Sequence, residues 1–523
     1  MTKTLYPEQQ TARYGINSML NAKISHVFIS PCGTGKTFTS CAVIKDRIAL
    51  NERIYILVPQ LEIFEQWINE LSEAGINPGY INDEGMRGKD RSVYVCMYQS
   101  LVNILSIIPE TLSPDVIIID ETQHMLCNSI KTICTFWPDA VRLGLTATLY
   151  HNSGETFRPW FTETIQTITK REAIEKGYIT EPLLIVPEDY LENVDIPDLG
   201  KEYDMELQAA ALGKTRIIGD MIETYENLFF GRPVIVPCAT FEQSKQIKEM
   251  FCAAGWNFEH VHSDGLPKHE RKRILRGITN QRINGLCTVG IGVEGMSIKG
   301  LWGVLWACRT KSPIKWTQFN GRGERIYPGK HHCLVVDFVG NSLLHGHPID
   351  ERQWTLDGEE ITEEKDRIPF QVCYSCGVYN APENTECHWC GADLSEEARK
   401  AETCEKCKHY LIDQETICAK EAFNPIFLIA YGCPFFERKG RKLPAMIDGK
   451  MVAITTDGQI QEIKDRADRI KEEQRELFEE ERKRKESREA ETIPMIEKRR
   501  ILSKGLFSDP GRRELFREAL GEM

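Results

Sequence analysis

The chain has 523 residues and a formal net charge of −12, with 41% hydrophobic and 27% charged residues. This length predicts several domains, and the acidic charge argues against a protein that coats nucleic acid by bulk charge. No apolar run approaches the roughly 20 residues that a membrane-spanning helix needs. The N-terminus lacks the leader of a secreted protein, so a cytoplasmic location is the default expectation.

Short apolar runs alternate with longer amphipathic stretches over the first two-thirds of the chain. Near-continuous apolar runs of this length are typical of parallel strands that are covered on both faces. The predicted strands are residues 27–29, 54–58, 93–95, 116–119, 233–236 and 333–336. Amphipathic stretches at 61–74 and 241–254 predict helices between them. The pattern predicts an α/β fold with doubly wound parallel sheets.

The composition changes at two places and divides the chain. Residues 176–204 contain several Pro, Gly and acidic residues, which predicts a boundary between a first α/β domain at 1–180 and a second at 181–350. Cysteine-rich modules follow at 368–395 and 400–440. Residues 447–450 predict a tight hairpin turn, and 455–523 a charged helical tail.

A phosphate-binding loop is predicted at residues 30–37, Ser-Pro-Cys-Gly-Thr-Gly-Lys-Thr. It follows a predicted strand and opens a helix, where glycines let backbone amides wrap phosphates and the helix N-terminus favours negative charge. Lys36 would reach the β and γ phosphates, and the Thr37 hydroxyl would ligate Mg²⁺. Gly33, Thr34 and Gly35 complete the cradle, although Ser30 stands where the usual pattern has its first glycine.

Two acidic residues, Asp120 and Glu121, follow the predicted strand at 116–119. A carboxylate at the tip of a central strand is where Mg²⁺ is held in such ATPases, which predicts that role for Asp120. Glu121 is then placed to orient or deprotonate the attacking water.

At these residues the chain resembles the superfamily 2 helicases of the DEAD/DEAH-like type, and further segments fit that family in order. The segment 5–10 resembles the adenine-reading Q motif, which implies Gln9 as a base contact. The others resemble motifs Ia (59–67), the next strand-contacting motif (98–101), II (120–123), III (146–148), V (288–295, with Gly295) and VI (318–325). The resemblance implies two tandem RecA-like domains with ATP and Mg²⁺ bound between them.

The resemblance also assigns roles in the second domain and along the nucleic-acid track. Arg325 is the implied main arginine finger, with Arg322 beside it, because a guanidinium stabilises charge on the transferring phosphoryl group. Largely sequence-independent nucleic-acid contacts are implied at Gln60, Tyr98, Gln99, Ser100 and Thr240. A basic segment at 268–276 reads either as a phosphate grip or as a solvated helix face.

The likeness to the RadD-type DNA-repair group, some of whose relatives are phage-encoded, is based on residues 320–346 and the cysteines that follow. The sequence departs from the usual superfamily 2 motif patterns at Tyr6, Glu8, Met97 and Ser297. They leave ATP hydrolysis expected, and they favour translocation or remodelling over processive strand separation.

Eight of the 18 cysteines fall between residues 373 and 433. Two Cys-x-x-Cys pairs ten residues apart predict a tetrahedral Zn²⁺ site of Cys373, Cys376, Cys387 and Cys390. The second set is less regular and predicts a second Zn²⁺, with an iron–sulfur cluster or free thiols as alternatives: Cys404, Cys407, Cys418 and Cys433.

The sequence therefore predicts an ATP-driven motor on nucleic acid, DNA rather than RNA, in repair, recombination or replication. Three alternatives stay open: an RNA remodeller, the motor subunit of a restriction or defence complex, and a non-catalytic DNA-binding scaffold. The scaffold predicts decay at Lys36, Asp120, Glu121 or Arg325, and none has decayed. A protein partner would use the cysteine modules or the tail.

Overall fold

The computed structural model describes three long stretches of the chain and several short pieces. The long stretches are 4–186 (apart from 89, 152 and 153), 215–290 (apart from 262–267) and 298–357. The short pieces are 203, 205, 206, 209, 360–361, 371–372, 379–380, 384–387, 391–395, 444–447, 450–453, 469 and 472. Within these residues no helix is long and apolar enough to cross a membrane.

An eight-stranded sheet forms the first lobe, with strand order β4-β3-β5-β2-β6-β7-β1-β8. All neighbouring pairs are parallel except β3 with β4. The strands are β1 (His26–Ile29), β2 (Ile54–Val58), β3 (Gly79–Asn82), β4 (Gly85–Arg87), β5 (Val93–Met97), β6 (Val116–Asp120), β7 (Val141–Thr146) and β8 (Glu163–Gln166).

Both faces of this sheet are covered, because successive side chains of its strands enter two different cores. Ile54, Ile56 and Val58 of β2 join one core with three helices, and Tyr55 and Leu57 join the opposite core with two others. The helices on the first face are α1 (Pro7–Asn21), α2 (Lys36–Ala49) and α3 (Leu61–Glu73); those on the second are α4 (Tyr98–Ile104) and α5 (Asn128–Phe136).

A six-stranded, fully parallel sheet forms the second lobe, with strand order β11-β12-β10-β13-β14-β9. Its strands are β9 (Glu181–Ile185), β10 (Val234–Cys238), β11 (Phe258–Val261), β12 (Gly285–Val289), β13 (Gly303–Trp306) and β14 (His332–Asp337). Its helices are α7 (Thr215–Phe229), α8 (Phe241–Ala253), α9 (Lys268–Thr279), α10 (Pro313–Gly323) and α11 (Asn341–His345).

The chain passes from one sheet to the other between Gln166 and Glu181 through α6 (Lys170–Glu175). After α11 it returns to the first lobe, where Leu356 is buried in the core beside Phe157. Arg158 holds the next residue, Asp357, with two hydrogen bonds of 2.5 and 2.7 Å. The lobes are therefore joined by the linker and again by this returning segment.

The prediction of doubly wound α/β units with parallel sheets is confirmed, and each of the six predicted strands lies in or overlaps an observed one. Short antiparallel pairs follow the lobes: β15 (Gln353–Trp354) with β16 (Glu360–Ile361), and β17 (Gln371–Val372) with β18 (Tyr379–Asn380). The predicted hairpin is confirmed, since β19 (Pro444–Ile447) pairs with β20 (Lys450–Ala453), with Ile447 opposite Lys450. The exact domain boundaries stay predictions.

Candidate functional site

The phosphate-loop segment connects β1 to α2 at the carboxyl end of the first sheet. Gly33 and Gly35 both adopt φ of +85°, a left-handed conformation that glycine takes without the cost of a Cβ. Gly35 is the residue before the first turn of α2 and has no side chain to cap it. No side chain at this cap position therefore competes with an anion for the first amides of α2.

The loop is closed by bonds between its own polar groups. The Lys36 Nζ donates to the Ser30 carbonyl at 2.9 Å, and the Thr34 hydroxyl donates to the Pro31 carbonyl at 2.7 Å. Gln9, 8% exposed, donates from Nε2 to the Thr34 carbonyl at 2.8 Å. Gln9 thus lies against the phosphate loop, while its adenine contact stays a prediction.

Asp120 is the last residue of β6, which lies in the same parallel sheet as β1. Its Oδ2 accepts a hydrogen bond from the Trp67 indole Nε1 at 2.7 Å, and its Oδ1 accepts from the Glu121 amide at 3.0 Å. Burial and the neighbouring Glu121 raise the pKa of Asp120 to about 6, against the effects of Trp67 and Lys36. A bound cation nearby would favour the ionised carboxylate.

Glu121 sits on a left-handed turn with φ of +53°. Its Oε2 accepts a hydrogen bond from the Gln123 Nε2 at 2.8 Å, and the Gln123 Oε1 lies 3.0 Å from the Thr146 hydroxyl oxygen. The Thr146 hydroxyl oxygen also accepts a hydrogen bond from the Thr148 amide at 2.9 Å. A continuous chain of polar contacts therefore links the segments that resemble motifs II and III.

The second lobe meets the phosphate loop through the end of α10. A Cβ placed on Gly321 would lie 2.5 Å from the Cys32 Cβ, so the two backbones approach too closely for any other residue at 321. A Cβ placed on Gly33 would lie 3.6 Å from Cγ of Arg325. Burial, followed by the charge of Arg322, lowers the pKa of Arg325 to about 10. Arg325 thus lies beside the loop, and Arg322 is close enough to Arg325 for the two charges to repel each other.

Glu324, between the two arginine positions, has a different partner. Its Oε1 accepts a hydrogen bond from the Lys170 Nζ of α6 at 2.7 Å, and its carbonyl accepts from the amide of Thr180 at 2.7 Å. Its carboxylate is 1% exposed, and burial raises its pKa although Lys170 opposes this. Glu324 therefore fastens the segment containing the arginines to the linker between the lobes.

The predicted nucleic-acid residues lie where strands of the parallel sheets end, after β2, β5 and β10. Gln99 is exposed, and Gln60 and Thr240 are partly exposed. Tyr98 packs in the core, and the Ser100 hydroxyl donates to Asp83 at 2.6 Å. Because both side chains are engaged within the protein, any contact that Tyr98 or Ser100 makes with a nucleic-acid strand would use the residue's backbone. Such a contact does not distinguish one base from another.

The basic segment of α9 is bound to the first lobe. Arg271 forms an ion pair with Glu62 of α3, and Lys272 lies 3.1 Å from Glu65 of the same helix. The sequence suggested two interpretations of this segment, a phosphate grip or a solvated helix face. Neither of them predicts these ion pairs. The segment connects the lobes on the side of α3, and its charge is partly neutralised there.

Several predicted residues fall outside the described part of the chain: Gly295, Cys373, Cys376, Cys390, Cys404, Cys407, Cys418 and Cys433. Cys387 is described, is 2% exposed, and accepts a hydrogen bond from the Asn380 Nδ2 at 3.4 Å. Among the described residues alone there is no group of three metal-ligating side chains. The zinc predictions are therefore untested by the structure.

The resemblance placed Gln66 and Trp67, consecutive residues of α3, in motif Ia but gave neither side chain a role of its own. The Gln66 Nε2 lies 3.4 Å from the Thr37 hydroxyl, and Trp67 binds Asp120. Their position in motif Ia is the signal that could have found them, since their residue types alone are typical of any amphipathic helix that covers a core.

Comparison with known proteins gives the following similarities. Residues 2–151 match the family model described as type III restriction enzyme, res subunit. A 51.5 kDa protein of a Lactococcus phage is 25% identical over 399 residues, which are 75% of this chain and 83% of that protein. A Saccharomyces cerevisiae protein described as the ATP-dependent helicase IRC3 is 23% identical over 272 residues.

The match to the yeast protein covers 49% of this chain but only 38% of the yeast protein. Among solved structures, a fragment described as the HsdR subunit of a type I restriction enzyme from Vibrio vulnificus aligns with a TM-score of 0.50. It is 20% identical and the alignment covers 68% of this chain and 70% of that one. At this identity the likeness concerns the fold.

Proposed function

We infer that this chain, which belongs to helicase superfamily 2, hydrolyses ATP between its two lobes and uses the cycle to move along or remodel DNA. One observation carries the inference: Arg325 of the second lobe lies against Gly33 of the phosphate loop. When the second lobe supplies the guanidinium that reaches the γ-phosphate, hydrolysis depends on closure of the two lobes.

The residues on the first wall of the cleft fit Mg·ATP. The uncapped start of α2 and the two positive-φ glycines suit phosphate oxygens, and the half-buried Asp120 carboxylate suits a divalent cation. Lys36 would exchange its present carbonyl partner for phosphate, and Thr37 and Asp120 would hold the metal. Bound Mg²⁺ would neutralise charge that develops on the phosphate groups.

Glu121 is placed to orient the attacking water, since Gln123 already fixes one of its carboxylate oxygens. Arg322 and Arg325 would stabilise the transferring phosphoryl group from the other side. Loss of that group would remove the attraction between the walls. The Glu121–Gln123–Thr146 contacts give a physical route from this event to the segment that resembles motif III.

DNA is the proposed substrate, bound across the carboxyl ends of the strands at Gln60, Gln99 and Thr240. Contacts at these positions would grip the backbone, so little sequence preference is expected. The resemblance to the RadD-type group is the reason to place the activity in repair, recombination or replication, and this assignment stays a prediction.

A second candidate is favoured by one observation. Residues 2–151 match a family model described as type III restriction enzyme, res subunit. A motor that serves a restriction or defence complex would share every contact described above, and it would differ in needing partner subunits.

The test is ATP turnover with no polynucleotide, single-stranded DNA, duplex DNA, forked DNA and RNA. We expect DNA to stimulate turnover and Lys36→Ala to abolish it. Lys45→Ala is the matched control, because Lys45 is an exposed lysine on the same helix. Equal turnover with and without every polynucleotide would refute the motor, and stimulation by RNA alone would identify an RNA remodeller.

We also propose that the first cysteine set binds one structural Zn²⁺, with a second Zn²⁺ at the later set. The expected outcome is one to two zinc ions per purified chain by elemental analysis. Cys387→Ser should lower the zinc content, and Cys252→Ser, at an exposed single cysteine, should not. A wild-type protein free of zinc and iron would refute both sites.

A further inference from the structure

We propose that Trp67 is a positioning residue, whose indole N–H holds the Asp120 carboxylate in the orientation that binds Mg²⁺. The proposal extends the ATPase function inferred above and depends on it. Trp67 lies in α3 and is 53 positions from Asp120 in the chain, and the two side chains meet with an Nε1–Oδ2 distance of 2.7 Å.

The Trp67 side of this contact is fully buried, whereas Asp120 is half-buried. Trp67 is 0% exposed, among the side chains of the core that α1, α2 and α3 cover. A buried indole N–H has to find an acceptor, because leaving it unpaired costs free energy. An apolar side chain of similar size would fill the same space without that requirement. The choice of tryptophan therefore points to the hydrogen bond as well as to packing.

The two hydrogen bonds on Asp120 constrain its carboxylate group as a whole. Oδ2 accepts from Trp67 and Oδ1 accepts from the Glu121 amide, so both oxygens have a fixed donor. Each carboxylate oxygen has further lone-pair capacity, which remains for a cation. Partners that orient a metal-binding carboxylate contribute to metal affinity although they never touch the metal.

The residue before Trp67 strengthens the assignment. The Gln66 Nε2 lies 3.4 Å from the hydroxyl of Thr37, the other side chain proposed to hold Mg²⁺. One turn of α3 therefore touches both candidate ligands, which come from α2 and β6. The same helix begins next to Gln60, a proposed nucleic-acid contact. A displacement of α3 would therefore move the two side chains that contact the metal ligands.

The decisive variant is Trp67→Phe, which keeps an aromatic ring and removes the N–H. Trp256→Phe is the matched control, because Trp256 is 1% exposed and donates its N–H to Glu226 at 3.0 Å in the second lobe. For each protein the affinity for a fluorescent ADP is measured without Mg²⁺ and over a Mg²⁺ titration. Thermal unfolding of each protein shows whether it is folded.

We expect Trp67→Phe to need about tenfold more Mg²⁺ for half-maximal tightening of ADP binding, with Mg²⁺-free affinity unchanged. Trp256→Phe should match the wild type in both measurements. A folded Trp67→Phe protein with the wild-type Mg²⁺ requirement would overturn the proposal and leave the ATPase function intact. A wild-type protein that binds no nucleotide would instead overturn the proposed function itself.

A second measurement uses the wild-type chain and does not depend on the variant's folding. The nine tryptophans are labelled with 5-fluorotryptophan, and fluorine resonances are recorded with ADP and Mn²⁺ in place of Mg²⁺. Paramagnetic Mn²⁺ at Asp120 should broaden one resonance far more than the others, because Trp67 is in direct contact with that carboxylate. If no resonance is selectively broadened, Trp67 does not serve the metal site.

Discussion

Reversing the charge of Glu62 tests whether α3 and α9 hold the lobes together. Glu62 pairs with Arg271 across the lobes, and both side chains are 20% exposed. Glu62→Arg would place two guanidinium groups in contact at the position where opposite charges now meet. The closed arrangement, in which Arg325 reaches the phosphate loop, should then become less populated.

The expected size follows from the exposure of the pair. Fully exposed ion pairs contribute about 0.2–1 kcal/mol, and loss of a partner from a fully buried pair costs about 3–5 kcal/mol. At 20% exposure this pair lies between these limits, and about 1 kcal/mol is a conservative value. That corresponds to about a fivefold loss of the closed population relative to the open one, before any repulsion is added.

The assay is ATP turnover at subsaturating ATP with saturating single-stranded DNA. Glu62→Arg should lower turnover about fivefold or more near 0.1 M salt, and the defect should shrink toward 1 M salt because charges are screened. Glu73→Arg, at an exposed position of the same helix, should have little effect. The swap Glu62→Arg with Arg271→Glu should restore turnover. Equal defects in the single and swapped proteins would refute the ion-pair explanation.

Three further outcomes concern stability and are measured by urea unfolding. Gly303→Ala should destabilise the chain by at least about 1–3 kcal/mol, because a Cβ there would clash with a backbone carbonyl of the neighbouring strand. Gly15→Ala should stabilise the chain by about 0.5–1 kcal/mol, since a Cβ in this helix meets only ordinary van der Waals contacts. A Gly15→Ala protein less stable than the Gly303→Ala protein would contradict the packing described at these two positions. Arg13 holds Asp46 with two hydrogen bonds and thereby lowers the pKa of Asp46 from 3.8. The depressed pKa adds stability above pH 3.8 that is lost as pH falls through the folded-state pKa. Asp46→Asn should therefore cost about 1 kcal/mol at pH 7 and less in acid, and a pH-independent difference would contradict this.

The buried strands were predictable because their signal is local. Residues 54–58 and 116–119 are runs of β-branched and other apolar side chains, and helices cover both faces of the sheet that contains them. Strand β7 was missed since Arg142 and Gly144 interrupt its apolar run. Gly144 is required because a Cβ there would lie 2.7 Å from the Thr122 hydroxyl oxygen, a neighbour that only the folded chain brings close.

The candidate site divides in the same way. Lys36, Asp120 and Arg325 were predictable because each stands in a short motif whose chemistry is local to the segment. The contact of Trp67 with Asp120 and the pairing of Glu62 with Arg271 were not, since each joins distant segments. In the sequence Trp67 is one residue of motif Ia with no indication of its partner, and the basic segment resembles any charged helix face.

Removing Arg325 tests most directly whether the two lobes share one nucleotide. We predict that Arg325→Ala binds ATP with nearly the wild-type affinity and loses DNA-stimulated turnover by about 10³-fold. Ile326→Ala, at the exposed neighbouring position, should retain turnover. Wild-type turnover by the Arg325→Ala protein would contradict a site completed by the second lobe.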